Sequence, residues 1–113
     1  MLTISTLTPN EFRINIKVKV IELLITLETK HEKSNSMIII HEYLVGDESG
    51  CIILNTKQEL KIDSTYTIKN GYTETIEGYL RLYAEHLEPT TASLCINVNN
   101  NRSFVHLERD IKL

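Results

Sequence analysis

The sequence predicts an all-β domain, built as a small closed barrel with at most short helical turns. Apolar and polar residues alternate along several short stretches, and this period of two is typical of strands with one buried face. Groups of Gly, Pro, Asn, Asp and Ser separate the stretches, as turns require. Many short strands with little helix between them indicate a small barrel.

Length and composition define the class of protein. The chain has 113 residues, enough for one core, so residues 1–113 are predicted to form a single domain. It is 42% hydrophobic and 24% charged, which is ordinary for a folded protein. Its formal net charge of −3 gives no overall basic field, although a local basic strip is compatible with that charge.

Cysteine content and hydropathy indicate the compartment. Cys51 and Cys95 are too few for the disulfide framework of a small secreted domain, so both are expected to be reduced. No apolar run approaches the roughly 18 residues of a membrane span, and no signal-peptide pattern opens the chain. We expect an intracellular protein, nuclear if eukaryotic, with no membrane partner.

The longest predicted strand runs from Phe12 to about Ile25. Every second residue from Phe12 to Val20 is apolar and is expected to face the core. The opposite, exposed row is Arg13, Asn15, Lys17 and Lys19. After Val20 the apolar residues change phase, which predicts a β-bulge near residues 20–22. A helix over residues 21–27 is the competing interpretation, and the β-branched residues there disfavour it.

The remaining strands are predicted from the same alternation and its interruptions. They cover residues 37–45, 51–56, 65–70, 72–76, 79–83 and 103–107. A polar loop is predicted over residues 29–36. The turn Gly46-Asp47-Glu48-Ser49-Gly50 joins two strands as a tight hairpin, in which the Asp47 carboxylate can accept hydrogen bonds from following amides. Gly71 interrupts one strand, and Glu77-Gly78 forms a second hairpin turn.

The two ends of the chain complete the predicted barrel. Residues 1–11 are expected to pack on it through Leu2, Ile4 and Leu7. Residues 88–101 are predicted to be mainly loop, with a short strand or helical turn within them, and residues 108–113 to be a tail. A five-stranded Greek-key OB-fold barrel over residues 12–107 accounts for this pattern best.

Three motifs in this order resemble a known family. They are Val45-Gly-Asp-Glu-Ser-Gly-Cys-Ile52, Gly71-Tyr72 and Gly78-Tyr-Leu-Arg-Leu-Tyr83. Their order and spacing resemble single-OB-fold single-stranded DNA-binding proteins related to replication protein A, closest in type to the OB-fold component of the sensor of single-stranded DNA (SOSS) complex. The resemblance implies binding of single-stranded DNA in replication, repair or telomere maintenance, with protein partners in a multi-subunit complex.

The resemblance also implies which aromatic residues stack on bases. Tyr72 matches the aromatic residue of the Gly-Tyr motif, and Tyr83 matches the tyrosine that ends the later strand. Tyr79 is the third aromatic residue predicted on that face, whereas Tyr43 and Tyr66 are expected in the core. A base stacked on an aromatic ring contributes roughly 1–3 kcal/mol whatever its identity.

Basic residues would follow the phosphates of a bound strand. The candidates are Arg13, Lys17, Lys19, Lys57, Lys69 and Arg81. An ordinary solvated strand face is the other interpretation of the first three. Where the resembled family has a tryptophan this chain has Lys57, and Glu74 and Glu77 lie on the hairpin that would hold the strand.

The sequence contains no pattern typical of an enzyme, a cofactor site or a metal site. The four histidines are widely spaced, and no nucleophile, phosphate-binding loop or paired catalytic carboxylates are found. The predicted function is therefore binding. The alternative to single-stranded DNA is a scaffold subunit that binds protein, and binding of RNA by the same face also stays open.

Overall fold

Six strands form one sheet that closes on itself. The computed structural model describes residues 2–31, 36–91 and 100–104. The strands are β1 (Ile14–His31), β2 (Ser36–Asp47), β3 (Gly50–Thr56), β4 (Thr65–Ile76), β5 (Tyr79–Tyr83) and β6 (Leu87–Thr90). The helical elements of the described segments are two 3-10 helices, Ile4–Thr6 and Arg102–Phe104. None of them is long and apolar enough to cross a membrane.

Five of the strands form a closed ring in the order β1-β2-β3-β5-β4, with β4 pairing back to β1. Neighbours in the ring are antiparallel except β3 and β5, which are parallel. β6 adds to β4 beside the ring. The predicted all-β OB-fold is therefore confirmed.

The first strand closes the ring because it serves two neighbours. Its first part, up to Lys19, pairs with β4, and the part from Lys19 onward pairs with β2. The β1–β2 register shifts between Val20 and Glu22 and again between Leu23 and Ile25. The bulge predicted near residues 20–22 is thus confirmed, and the competing helix is wrong. Bulges increase the local bend and twist, which lets one strand turn around a small barrel.

Phe12 differs from its predicted place on the buried face. Its side chain is 72% exposed, and β1 begins only at Ile14. Arg13 between them has a φ of 57°, in the left-handed region. Side chains alternate between the two faces only where the backbone is extended. The left-handed Arg13 interrupts that alternation, so Phe12 does not share the buried face of the residues that follow.

The core lies inside the ring and holds the predicted inward residues. Tyr43 and Tyr66 are buried as predicted, and their hydroxyls accept hydrogen bonds from the Leu60 and Lys61 backbone N–H groups, each at 2.9 Å. Buried tyrosines usually need such a partner for the hydroxyl. The other buried core members are Ile4, Leu7, Ile14, Ile16, Val18, Val20, Val45, Ile52, Leu54, Leu60, Ile68, Leu80, Leu82, Ala84 and Leu87.

Asp47 joins the β2–β3 turn to the N-terminal segment. Its Oδ1 accepts hydrogen bonds from the Ser49 backbone N–H at 2.8 Å and from the Ser49 hydroxyl at 2.6 Å, which confirms its predicted place in the turn. Its Oδ2 accepts from the Ile4 backbone N–H at 3.0 Å. Ile4 and Leu7 are fully buried, so the predicted packing of this segment on the barrel is confirmed, in the form of a 3-10 helix.

Gly71 lies inside one continuous strand, so the predicted interruption of β4 is wrong. A Cβ atom at this position would lie 2.9 Å from Ile68 Cγ2 and 3.2 Å from the Tyr83 carbonyl oxygen. Asn70 has a φ of 57°, and the β1–β4 register shifts nearby, between Ile14 and Ile16. The glycine therefore allows the backbones to approach closely where β4 changes its alternation.

The end of the described chain also differs from expectation. β6 lies where a loop was predicted, and it pairs as an edge strand that can accommodate Pro89. Ser103 belongs to a 3-10 helix and not to a final strand, and residues 105–107 of that predicted strand lie outside the described residues. Residues 92–99 and the predicted tail lie outside them as well. The loop predicted over residues 29–36 is wrong at its two ends, because β1 and β2 extend into this range, and residues 32–35 lie outside the described residues.

Candidate nucleic-acid interface

Three aromatic rings form a column on the outer face of β4 and β5. Tyr72 and Tyr83 are directly opposed across these strands. Their ring centroids are 5.1 Å apart and the ring planes differ by 8°. Phe12 lies on the other side of Tyr72, at 6.3 Å and 22°. Tyr79 lies farther along the hairpin, opposite Ile76, so the structure separates it from the column.

The alternation of β4 and β5 directs the two tyrosines outward. Thr73 and Leu82, their neighbours in sequence, are fully buried. Thr73 also fixes the chain before β1, because its Oγ1 donates to the Thr8 carbonyl oxygen and accepts from the Glu11 backbone N–H. A backbone bond from the Thr73 N–H to the Glu11 carbonyl at 3.0 Å reinforces this contact. These bonds hold Phe12 beside Tyr72.

Two depressions adjoin the column. One has a volume of about 370 Å³, within the range of ligand sites. Its lining includes Leu27, Ile40, Glu42, Asn55, Thr56, Lys57, Tyr72, Ile76, Tyr83, Ala84 and Glu85. The other, of about 410 Å³, is lined by Lys69, Asn70, Tyr72, Glu85, His86 and Glu88. Tyr72 and Glu85 belong to both, so the two depressions meet at the column.

Of the predicted basic residues, Lys57 and Lys69 lie beside the column. Lys57 is exposed and lines the first depression. Lys69 lines the second, where its Nζ lies 3.2 Å from Glu88 Oε1 in a half-exposed ion pair. Such exposed pairs contribute little to stability and can be exchanged for another anion.

Arg81 has a different environment. Its Nη1 lies 3.3 Å from Glu42 Oε2, and both side chains are about four-fifths buried. Its Nε is buried with no hydrogen-bond partner among the described residues. This guanidinium is thus engaged across β5, β3 and β2, and it is not available as an exposed phosphate contact without breaking that pair.

The three basic residues predicted on the first strand, Arg13, Lys17 and Lys19, lie on another part of the surface. Lys17 and Lys19 are half-buried and pair in register with Thr67 and Thr65 of β4. Arg13, which precedes β1, is exposed. The structure therefore places the lysines along the β1–β4 boundary and not inside either depression.

Burial and nearby carboxylates both raise the pKa values of Tyr72 and Tyr83. The pKa of Tyr72 is raised above 10.0, mainly because burial disfavours the phenolate, and further because Glu74 and Glu85 are nearby. The pKa of Tyr83 is raised by burial and by Glu74, although a hydrogen bond from Asn55 and the charge of Arg81 oppose the shift. Both hydroxyls are neutral at physiological pH, so the column is uncharged within an acidic rim.

Two residues of this surface were missed by the sequence-based prediction. Phe12 was assigned to the core, and only the left-handed Arg13 explains why it is not. Asn55 ends an apolar strand, and its polar side chain was the available signal. It is 8% exposed, faces the first depression, and its Oδ1 has no hydrogen-bond partner in the described part of the chain.

No metal-binding group accompanies this surface within the described segments, where no three His, Cys, Asp or Glu side chains are placed to hold an ion. Cys51 is buried, and burial raises its pKa. The second cysteine, Cys95, lies outside the described residues. The chemistry present is that of stacking, hydrogen bonding and charge.

Solved structures share this architecture. The solution structure of hypothetical protein F20O9.120 from Arabidopsis thaliana superposes with a TM-score of 0.80 at 27% identity, covering 99% of this chain and 88% of that one. The second OB-fold domain of replication protein A from Methanococcus maripaludis gives 0.65 at 19% identity, with 82% and 97% covered. The OB domain of Ta0387 from Thermoplasma acidophilum gives 0.67 at 14% identity, with 85% and 92% covered. The last two structures share less than 25% sequence identity with this chain, so their similarity shows a common fold alone.

Sequence comparison identifies the family. No curated protein matches the chain. Residues 7–89, well over half of the chain, match the family described as single-stranded DNA binding protein Ssb-like, OB fold. This segment includes Phe12, Tyr72 and Tyr83 and all five strands of the ring. The chain belongs to the Ssb-like single-stranded DNA-binding family of OB folds.

Proposed function

We propose that this protein binds single-stranded DNA across the outer face of β3, β5 and β4. The observation that carries the proposal is the parallel Tyr72–Tyr83 pair, which a barrel does not need for its own core. Membership of the Ssb-like family supports it. The protein acts as a binding module and not as an enzyme.

Bases extend the aromatic column at its two ends. Phe12 and Tyr83 cover the two faces of the Tyr72 ring, so Tyr72 mainly supports its neighbours. One base stacks on the side of Tyr83 that faces β3, above the first depression. Another stacks on the exposed outer side of Phe12. Each stack stabilises the complex by roughly 1–3 kcal/mol, and the preference for base type from stacking alone is weak.

The phosphates follow basic residues on both sides of the column. Lys57 lies beside the Tyr83 end, and Lys69 contributes by exchanging Glu88 for a phosphate. Arg13, Lys17 and Lys19 extend the path along β1, whereas Arg81 positions the face through Glu42. Tyr79 adds an apolar contact at the tip of the hairpin. Binding weakens with salt, because each neutralised phosphate releases a counterion.

The biological setting follows from the same proposal. Like the OB-fold component of the sensor of single-stranded DNA complex, the protein would protect single strands during DNA replication, repair or telomere maintenance, joined to protein partners. We propose an intracellular site of action, nuclear in a eukaryote. RNA would use the same stacking column, because the column contacts base faces.

Fluorescence anisotropy of a labelled oligo-dT over a salt series tests the proposal. We expect binding at low salt that weakens steadily as salt rises, and a loss of about tenfold or more for Tyr83→Ala. Ile62→Ala is the matched control, because Ile62 is 46% exposed in the link between β3 and β4. Comparison with an oligo-U strand distinguishes DNA from RNA.

A protein-binding scaffold is the second candidate, and one observation favours it. The part of the β1–β2 ribbon beyond the ring exposes many apolar side chains: Leu23, Leu24, Ile25, Leu27, Met37 and Ile39. Exposed apolar patches of this kind often mark interaction surfaces. Absence of oligonucleotide binding at low salt would leave this scaffold function as the better proposal.

A further inference from the structure

The Asn55 side chain occupies an unusual position in the first depression. It lies on β3, opposite Glu42 of β2 and in parallel register with Tyr83 of β5. It is more than nine-tenths buried, yet its Oδ1 accepts no hydrogen bond from any described residue. The Asn55 side chain adjoins the Tyr83 hydroxyl, whose pKa it acts to lower.

A buried carbonyl oxygen without a donor is unfavourable, because it has lost water and gained nothing in return. Native proteins rarely keep such groups without a reason, and a ligand that supplies the donor is one reason. The oxygen belongs to a side chain lining a cavity that has room for a nucleobase. The residues around it therefore point to a donor group on a bound molecule.

The position of Asn55 relative to the aromatic column says how that molecule approaches. The strand order β3-β5-β4 places Tyr72 on one side of Tyr83 and Asn55 on the other. Because Tyr72 covers one face of Tyr83, a base stacked on Tyr83 uses the face on the β3 side. One edge of that base then points down toward Asn55.

We propose that Asn55 gives this site a preference for cytosine over thymine or uracil, through a hydrogen bond from the exocyclic amino group to its Oδ1. The inference rests on the proposed single-strand binding and adds a base preference to it. An amino group projects from the ring and carries two N–H donors. One bonds Asn55, and the second faces Glu42, whose carboxylate lies one strand farther on.

Thymine and uracil fit the same position poorly. In place of the amino group they present a carbonyl oxygen, and their N3–H lies between two such oxygens. Against Asn55 Oδ1 and the Glu42 carboxylate, these oxygens would place acceptor against acceptor. Glu85, which also lines the cavity, adds a further acceptor, whereas Lys57, an exposed donor in the same lining, is assigned to a phosphate. The acceptors beside Asn55 thus favour the amino group over the carbonyl.

Oligo-dC and oligo-dU of about 12 nucleotides make the sharpest comparison, since neither carries a methyl group and one OB-fold covers a site of this size. Anisotropy is measured at mildly alkaline pH, where cytosine stays unprotonated. We expect the wild-type protein to bind oligo-dC about fivefold more tightly, the effect of one good hydrogen bond. Asn55→Leu, of similar shape, should remove this preference, because the amino group of cytosine loses its acceptor.

The outcomes separate the two proposals. Equal binding of both strands, or tighter binding of oligo-dU, overturns the cytosine preference while leaving single-strand binding intact. A preference that persists in Asn55→Leu overturns the role of Asn55. If neither strand binds at low salt, the proposed function fails and the preference with it. The wild-type comparison remains decisive even if Asn55→Leu does not fold.

Discussion

The outward aromatic residues and the buried ones have different roles in this protein. The hydroxyls of Tyr43 and Tyr66 accept hydrogen bonds from backbone N–H groups, and both residues belong to the core. Tyr72 is enclosed between two rings, while Phe12 at one end of the column remains largely exposed. A phenylalanine exposed this far gains little for folding, and the proposed stacking of a base on its outer face would give it a role in binding.

Phe12→Ala should therefore separate binding from stability. We expect affinity for oligo-dT to fall by about tenfold, because one base loses its stacking partner. The melting temperature should hardly change, because little apolar surface is buried at this position. Anisotropy and thermal unfolding measure the two effects, with Ile62→Ala as the control. Unchanged affinity would remove Phe12 from the proposed column.

The raised pKa values of Tyr72 and Tyr83 predict a loss of stability in alkali. The folded state favours the neutral phenols, so their contribution is complete below a pH of about 10 and is lost as pH rises through the folded pKa. Tyr72→Phe, Tyr83→Phe keeps both rings and removes both ionisations. Urea unfolding over this pH range should show a smaller loss in the double variant, although the Cys51 thiol titrates in both proteins. An equal loss would contradict the assignment.

Among the elements, the short N-terminal segment determines where Phe12 lies. Its 3-10 helix is fixed by Asp47, and its last residues are fixed by Thr73. Arg102 adds hydrogen bonds from its guanidinium to the carbonyl oxygens of Ser5 and Leu7, at 2.5 and 3.0 Å. The position of Phe12 thus depends on contacts made by several distant parts of the chain.

Asp47→Ala tests the first of these contacts. The substitution leaves the Ile4 N–H buried without its acceptor and releases the Ser49 amide. We expect the free energy of unfolding to fall by roughly 1–3 kcal/mol. Glu48→Ala is the control, because Glu48 is exposed in the same turn and its removal should change stability by less than about 0.5 kcal/mol. Equal effects of the two substitutions in urea unfolding would contradict a stabilising contact between Asp47 and the N-terminal segment.

For the whole molecule, the charge distribution decides how strongly salt acts. The net charge of −3 is spread over a surface on which basic residues occupy only parts of the proposed face. Glu42, Glu74 and Glu85 lie close to the tyrosines. Attraction to phosphates must therefore come from local cations, and the affinity of this protein should be modest.

Lys57→Ala measures one such local contribution. If Lys57 neutralises one phosphate, its removal should reduce the slope of log K against log salt by about 0.7. Lys61→Ala is the matched control, since Lys61 is an exposed lysine in the same β3–β4 link but does not line the depression. Anisotropy titrations at several salt concentrations measure both slopes. Equal slopes for the two variants would exclude Lys57 from the phosphate path.

Alternation made the strands and the fold predictable from sequence, including the bulge after Val20. The same rule wrongly placed Phe12 in the core, because the hydrophobic pattern gives no sign of the left-handed backbone at Arg13. It also divided β4 at Gly71, where the glycine allows close packing of backbones inside one strand. The Tyr72–Tyr83 pair was proposed from family resemblance, whereas the unpaired Asn55 oxygen depends on three strands meeting and could not be read from sequence.

The pairing of β1 with β4 has a consequence for the time course of folding. Ile14 pairs with Gly71 and Lys19 with Thr65, so the ring closes only between segments far apart in the chain. Non-local pairing of this kind slows folding, typically to milliseconds or seconds. During synthesis, β1, β2 and β3 leave the ribosome first, and the β1 edge that awaits β4 stays uncovered. Until residues 65–71 arrive, that edge is the part of the nascent chain most prone to pair with another molecule.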